Sequence, residues 1–229
     1  MKKLLSFLLI LCFLLAGTST AFAEKLWENP VLELYSADGF YTDSVGNAST
    51  YAYHVPQIND DTEAAKEINL EIAKRFGKNV EGQFRTMEGG FSLSAWNIGW
   101  HGFWYGSQLF LVVSSDTPND CMDYAAYGYD FETREKVTNR MILEELGLSE
   151  EEYLTNLKEK VQLMFEGTNG IAHDQIDAYE SMLQMTLDWA DIEAPMFIDA
   201  FGSIETIVKI GTFAGAGWYY HFATPFSYG

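Results

Sequence analysis

Apolar and polar positions change period several times along the chain. Val31, Leu32, Leu34, Tyr35, Phe40 and Tyr41 form a strand-like lead-in, and Tyr51-Ala-Tyr-His-Val-Pro56 alternates with the period-two signature of a half-buried strand. A proline cannot donate to a strand ladder, so Pro56 is expected to end that strand. Ala65, Ile68, Ile72 and Phe76 then recur at three- and four-residue spacing, which predicts an amphipathic helix from Thr62 to Phe76, stopped by Gly77. Asp60 and Glu63 have capping-box spacing at its start. Phe91-Ser-Leu-Ser-Ala95 alternates again, and Gln108 to Ser114 is a short apolar run of the kind found in a central strand. Tyr124 to Phe131 reads as a further strand, turned through Asp130–Arg134 toward Val137. Ser149 followed by three glutamates opens a second helix, whose buried stripe is Leu154, Leu157, Val161 and Met164 or Phe165. A third helix is expected from His173 to Trp189, with Ile176, Tyr179, Leu183 and Leu187 on one face. After Pro195, β structure resumes at Met196–Ile198, Ser203–Ile210 and Gly217–Phe222, with a hairpin turn at Asp199–Gly202.

Helices gathered between runs of neighbouring strands indicate an α+β fold, with an antiparallel or mixed sheet and about three packed helices. The polar, glycine-rich stretch from Gly77 to Gly90 marks the one natural division. It separates a strand–helix module at 24–90 from an α+β domain at 91–229, and the two are expected to pack as one compact unit.

The first residues follow a different logic. Lys2 and Lys3 precede an almost unbroken apolar run from Leu4 to Leu15, too short to span a bilayer comfortably. Small residues at Ala21 and Ala23 suit signal-peptidase cleavage before Glu24, so 1–23 is expected to be a cleaved secretory signal and the protein to be secreted. Leu11 before Cys12 argues against lipidation. Cleavage leaves roughly 200 residues, enough for one well-buried domain. It also leaves Cys121 as the single cysteine, so no intramolecular disulfide is expected. No later stretch has the apolar length of a transmembrane anchor.

Charge narrows the range of partners. The formal net charge is −19, and loss of Lys2 and Lys3 with the signal makes it two units more negative. Such a field repels nucleic acid and anionic lipid and favours a basic partner.

The order of motifs is recognisable. Tyr51-Ala-Tyr-His-Val-Pro-Gln-Ile58 followed by a helix carrying Ile68-Asn69 and Ile72 resembles one exported module of unknown function. Tyr129-Asp-Phe-Glu-Thr-Arg-Glu-Lys-Val-Thr138, then Ile142-Leu143, then Ser149 to Leu157, resembles its usual companion. Together they resemble the DUF4163/DUF3298-like pair found in the extracellular region of RsiV-type lysozyme-sensing anti-sigma factors and beside some peptidoglycan deacetylase domains. The resemblance runs from Tyr51 to the C-terminus and implies an envelope-associated recognition domain. It departs from the pattern at Arg134, where a turn glycine is usual, and in Ile210–His221. A sigma-binding segment and a deacetylase metal motif are both missing from the sequence, so neither activity carries over.

Candidate chemistry centres on Trp96 to Gly106, which holds three Trp, one Phe, one Tyr and one His among three glycines. Rigid aromatics present apolar faces to sugars or peptides, and glycines let a ligand approach the backbone. The candidate binding residues are Trp96, Trp100, His101, Trp104 and Tyr105; the alternative is a hairpin whose rings pack into the core. Alternation sends Trp100 and Phe103 to different faces, so some rings are expected to be exposed. The four histidines lack zinc spacing, Asp116–Asp123 lacks the calcium-loop pattern, and no nucleophile elbow or phosphate loop occurs. No catalytic residue, metal or cofactor is indicated. The expected function is a non-enzymatic binding module for a basic protein such as lysozyme or for cell-wall glycan. A hydrolase acting on peptidoglycan or another glycan is the alternative, although carboxylate pairs arise by chance among 33 acids.

Overall fold

The structure, a computed structural model, describes residues 29–42, 46, 48–78, 80, 97–116, 122–170, 177–214 and 217–227. The signal segment, the stretch 91–96 with Trp96, the turn 117–120, Cys121, His173 and Ile176 lie outside the described residues.

The fold is built around one strand that is buried on both faces. β4 (Gln108–Asp116) carries the apolar run, and every residue from Gln108 to Val113 is buried. Its side chains alternate between two cores. Leu109, Leu111 and Val113 join Tyr53, Val55, Ile98, Ile68, Ile72 and Phe76, whereas Phe110 and Val112 join Phe197, Ile207, Leu157, Val161 and Phe165. A strand of this kind needs a layer on each side.

The sheet around it has six strands in sequence order: β1 (Val31–Thr42), β2 (Ala48–Ile58), β3 (Asn97–Tyr105), β4, β5 (Met122–Asp130) and β6 (Glu135–Val137). All neighbours are antiparallel except β2 and β3, which pair in parallel at Ala52–Asn97 and Tyr53–Ile98. α1 (Glu63–Ile72) covers one face with Ala65, Ile68 and Ile72, and a single π turn at Ala73–Gly77 adds Phe76. The other face meets a second, antiparallel sheet of β7 (Met196–Ile198), β8 (Ile204–Gly211) and β9 (Trp218–Phe226). Phe103 stacks on Phe197 with ring centroids 5.1 Å apart, and Tyr124 meets Phe222 edge-on at 5.1 Å. α3 (Glu150–Asn169) and α4 (Tyr179–Trp189) pack on this second sheet, with α2 (Asn139–Glu145) beside them. The buried Tyr153 hydroxyl of α3 pairs with Thr206 at 2.8 Å, and burial pushes its phenol up to about 12. The described residues are thus α+β in four layers, with four α-helices where about three were expected.

Several local readings change. Pro56 lies inside β2 rather than at its end. It stands opposite Glu33, where β1 slips register between Glu33 and Tyr35, and such a bulge tolerates a missing N–H. Thr62, not Asp60, caps α1, accepting from the Ala65 N–H at 3.2 Å. The Asp60 side chain is buried and accepts instead from the Arg134 guanidinium, the Tyr129 hydroxyl at 2.9 Å and the Thr62 N–H at 3.2 Å. These donors, Arg134 first, lower its carboxyl to about 2. Arg134 sits in the turn between β5 and β6 with φ +61°, the left-handed geometry that glycine favours. Its guanidinium also reaches Asp61 at 2.7 Å, so the side chain ties this turn to the start of α1. Ser149 does cap α3, accepting from the Glu152 N–H.

Asp60 titrates lower in the folded state than unfolded. Its contribution is therefore complete above the ordinary value of 3.8 and is lost as the pH falls through about 2. Urea unfolding of Asp60→Asn should show a loss of about 2 kcal/mol at pH 7, the scale of a hydrogen bond to a charged group. The gap from the parent should narrow as the pH falls toward 2. A gap independent of pH would contradict this assignment.

Candidate functional site

The second sheet packs on β3, β4 and β5, so the face of β1 and β2 turned away from α1 is left uncovered by it. Register assigns the residues. Tyr35, Ala37 and Gly39 pair with Val55, Tyr53 and Tyr51 toward α1, and Ser36, Asp38 and Phe40 pair with His54, Ala52 and Thr50 on the outer face. The α1 side is packed closely: Tyr51 and Tyr53 stack at 5.2 Å, and a Cβ on Gly39 would displace the end of the Tyr51 ring. On the outer face Ser36, Asp38 and Phe40 are exposed, Phe40 at 79%.

One cluster organises this face. His54 Nδ1 lies 3.1 and 3.2 Å from the two carboxylate oxygens of Glu33, and Nε2 lies 3.0 Å from Asp38 Oδ1. Ser36 Oγ is 3.4 Å from Nδ1. The β1 bulge between Glu33 and Tyr35 sits at this cluster. Hydrogen bonds from Ser36 and His54 pull Glu33 below the usual carboxylate range, and the bond to Glu33, then that to Asp38, raises His54. The parallel pairing ends at Tyr53–Ile98, one residue before His54 and Gly99, and a Cβ on Gly99 would meet no described atom within 4 Å.

The β3 segment does not form one aromatic platform. The pleat sends Trp100 toward the α1-side core, where it is half-buried. Trp104 is 37% exposed, with its ring 5.7 Å from Phe131 of that core. Phe103 and Tyr105 pack against the second-sheet core. His101, between Trp100 and Phe103 on the strand, is exposed. Rings on opposite faces are partly covered here because each face has its own layer.

Other candidate chemistry resolves into structural roles. Asp116 accepts from the Asn97 side chain at 2.7 Å, closing the open end of the β3–β4 hairpin, and Asp123 binds Arg75 through two hydrogen bonds. Among the described residues, no group of three or more His, Cys, Asp or Glu is disposed to hold a metal ion. No described helix is long and apolar enough to cross a membrane. A shallow groove of about 350 Å³ lies between α3 and β9, lined by Lys160, Leu163, Met164, Phe222, Ala223 and Thr224. Thr224 donates to Glu205 at 2.6 Å, and burial raises that carboxyl.

No protein-family model and no curated protein matches the sequence. A solved structure that resembles the chain is a member of the DUF3298 family from Bacteroides fragilis. It is 10% identical, with 85% of this chain and 88% of that chain covered and a TM-score of 0.33. The tie to lysozyme-sensing anti-sigma factors rests on the motif order alone.

Half-burial in a packed core and exposure over a single ring have different consequences for the two tryptophans. Trp100→Ala should cost about 2 kcal/mol and Trp104→Ala about 1 kcal/mol, both short of the loss for a fully buried Trp. Denaturant unfolding checks the order; a larger loss at Trp104 would overturn the placement of Trp100 in the core.

Proposed function

We propose that this chain is an exported, non-enzymatic recognition module of a bacterial cell envelope, and that its partner is a basic protein such as lysozyme. The observation that carries this reading is the open outer face of β1 and β2, where Glu33 and Asp38 stand in a chain of net charge −19. Exposed Leu34 and Phe40 on β1 give the same strand apolar contact area, and His101 extends the outer face onto β3. Charged groups arranged on an open sheet recognise opposite charge by steering and register, and apolar neighbours lengthen the residence of the complex. Export rests on the N-terminal segment ending at Ala23.

Two measurements test the two halves of the proposal. Calorimetry at about 0.01 M salt, where the Debye length is about 30 Å, should show lysozyme binding that weakens steeply by 0.15 M. The double variant Glu33→Gln, Asp38→Asn should bind at least tenfold more weakly. No heat at low salt defeats the basic-partner reading, and muropeptide release from cell wall by the purified protein would favour the hydrolase alternative. When the chain is expressed in a bacterium, N-terminal sequencing of the product outside the cytoplasm should begin at Glu24; a cell-retained product beginning at Met1 contradicts export.

A further inference from the structure

A carboxylate accepts hydrogen bonds and has no proton to give. His54 faces carboxylates from both ring nitrogens, Glu33 from Nδ1 at 3.1 Å and Asp38 from Nε2 at 3.0 Å. A neutral imidazole donates from one nitrogen only, so its second nitrogen would set a lone pair against a negative oxygen. Only the imidazolium satisfies both contacts. Both carboxylates belong to β1, the outermost strand, and His54 belongs to β2, so the imidazolium also fastens the sheet edge.

We propose that His54 is a proton-operated latch on this face: protonated, it bridges Glu33 and Asp38 and occupies the place of a partner's cation, and on losing its proton it frees both carboxylates for a lysine or arginine side chain. The latch stands on the cluster's geometry, whereas its effect on a partner rests on the basic-partner reading above.

The groups around His54 agree on the direction. From β1 it faces Glu33 and Asp38, with the Ser36 hydroxyl alongside. On β3 the position that follows the last paired residue, Ile98, is Gly99, and His101 lies two residues further on. Ala52 and Pro56, its own next-but-one neighbours on β2, carry no charge. The bonds to Glu33 and Asp38 outweigh burial and hold the proton above the ordinary histidine value of 6.5. The bridge is therefore complete below 6.5 and is lost as the pH rises through the raised value. On the acid side Glu33 stays ionised to below its ordinary 4.5, so the closed latch extends into mildly acidic conditions. Closed, the cluster carries one net negative charge; open, it carries two. Asp38 is 65% exposed, which leaves the freed carboxylate accessible.

Nitrogen-15 NMR of the histidine rings in the intact protein tests the latch without a ligand. At pH 6 both His54 nitrogens should carry protons, the titration midpoint should lie above 6.5, and Asp38→Asn should move it down. An unprotonated ring nitrogen at pH 6, or a midpoint at or below 6.5, overturns the proposal. The partner arm uses lysozyme at fixed low salt. Affinity should rise at least threefold from pH 6 to pH 9 in the parent and stay flat in folded His54→Gln. A flat parent profile with measurable binding overturns the coupling. A normal latch titration with no lysozyme binding at either pH overturns the basic-partner reading and leaves the latch intact.

Discussion

The requirement that β4 be buried on both faces governs this structure. Leu109 to Val113 are five consecutive buried apolar residues with no polar side to offer water, so a layer must close over each face. α1 closes one and the second sheet closes the other, and each gathers its own apolar cluster. The neighbouring strands follow the same division. Phe103 and Tyr124 turn to the second sheet, while Ile98 and Tyr127 turn to α1.

The two cover layers differ in reach. α1 packs on β2, β5 and β6, whereas the second sheet stops at β3. Among the described residues the second sheet does not extend over the outer face of β1 and β2, where Ser36, Asp38 and Phe40 are exposed and His54 is half-buried. A bulge in β1 sits where Glu33 approaches His54, and the same irregularity admits Pro56 into β2. Edge strands invite unwanted pairing, and charges with a bulge blunt that risk. The features that guard the edge here also assemble the charged cluster. Structural protection and recognition are in this view two consequences of one arrangement.

Much of the fold was legible because local pattern and final environment agree. The apolar run at 108–114, the alternation around Tyr53 and the Ser149 cap all specify elements from neighbouring residues alone. The misreadings come from distant partners. Asp60 has the spacing of a helix cap, yet Tyr129 and Arg134, 69 and 74 residues away in sequence, claim its carboxylate. Arg134 occupies a glycine-like backbone site, a departure visible in the sequence, but its compensating contact to Asp60 is not. The site was legible only in part. The aromatics of β3 are adjacent in sequence and are separated by the pleat. Glu33, Asp38 and His54 look like ordinary polar positions in two strands, and only the register of the hairpin joins them.

The uncovered face of β1 and β2, rather than the groove between α3 and β9, is the recognition surface in this account. Amide chemical-shift mapping of the isotope-labelled protein during addition of lysozyme compares the two surfaces in one experiment. Shifts should concentrate at residues 33–40, 50–54 and 99–101, with α3 and β9 unchanged. Shifts confined to Lys160–Met164 and Phe222–Thr224 would contradict this account.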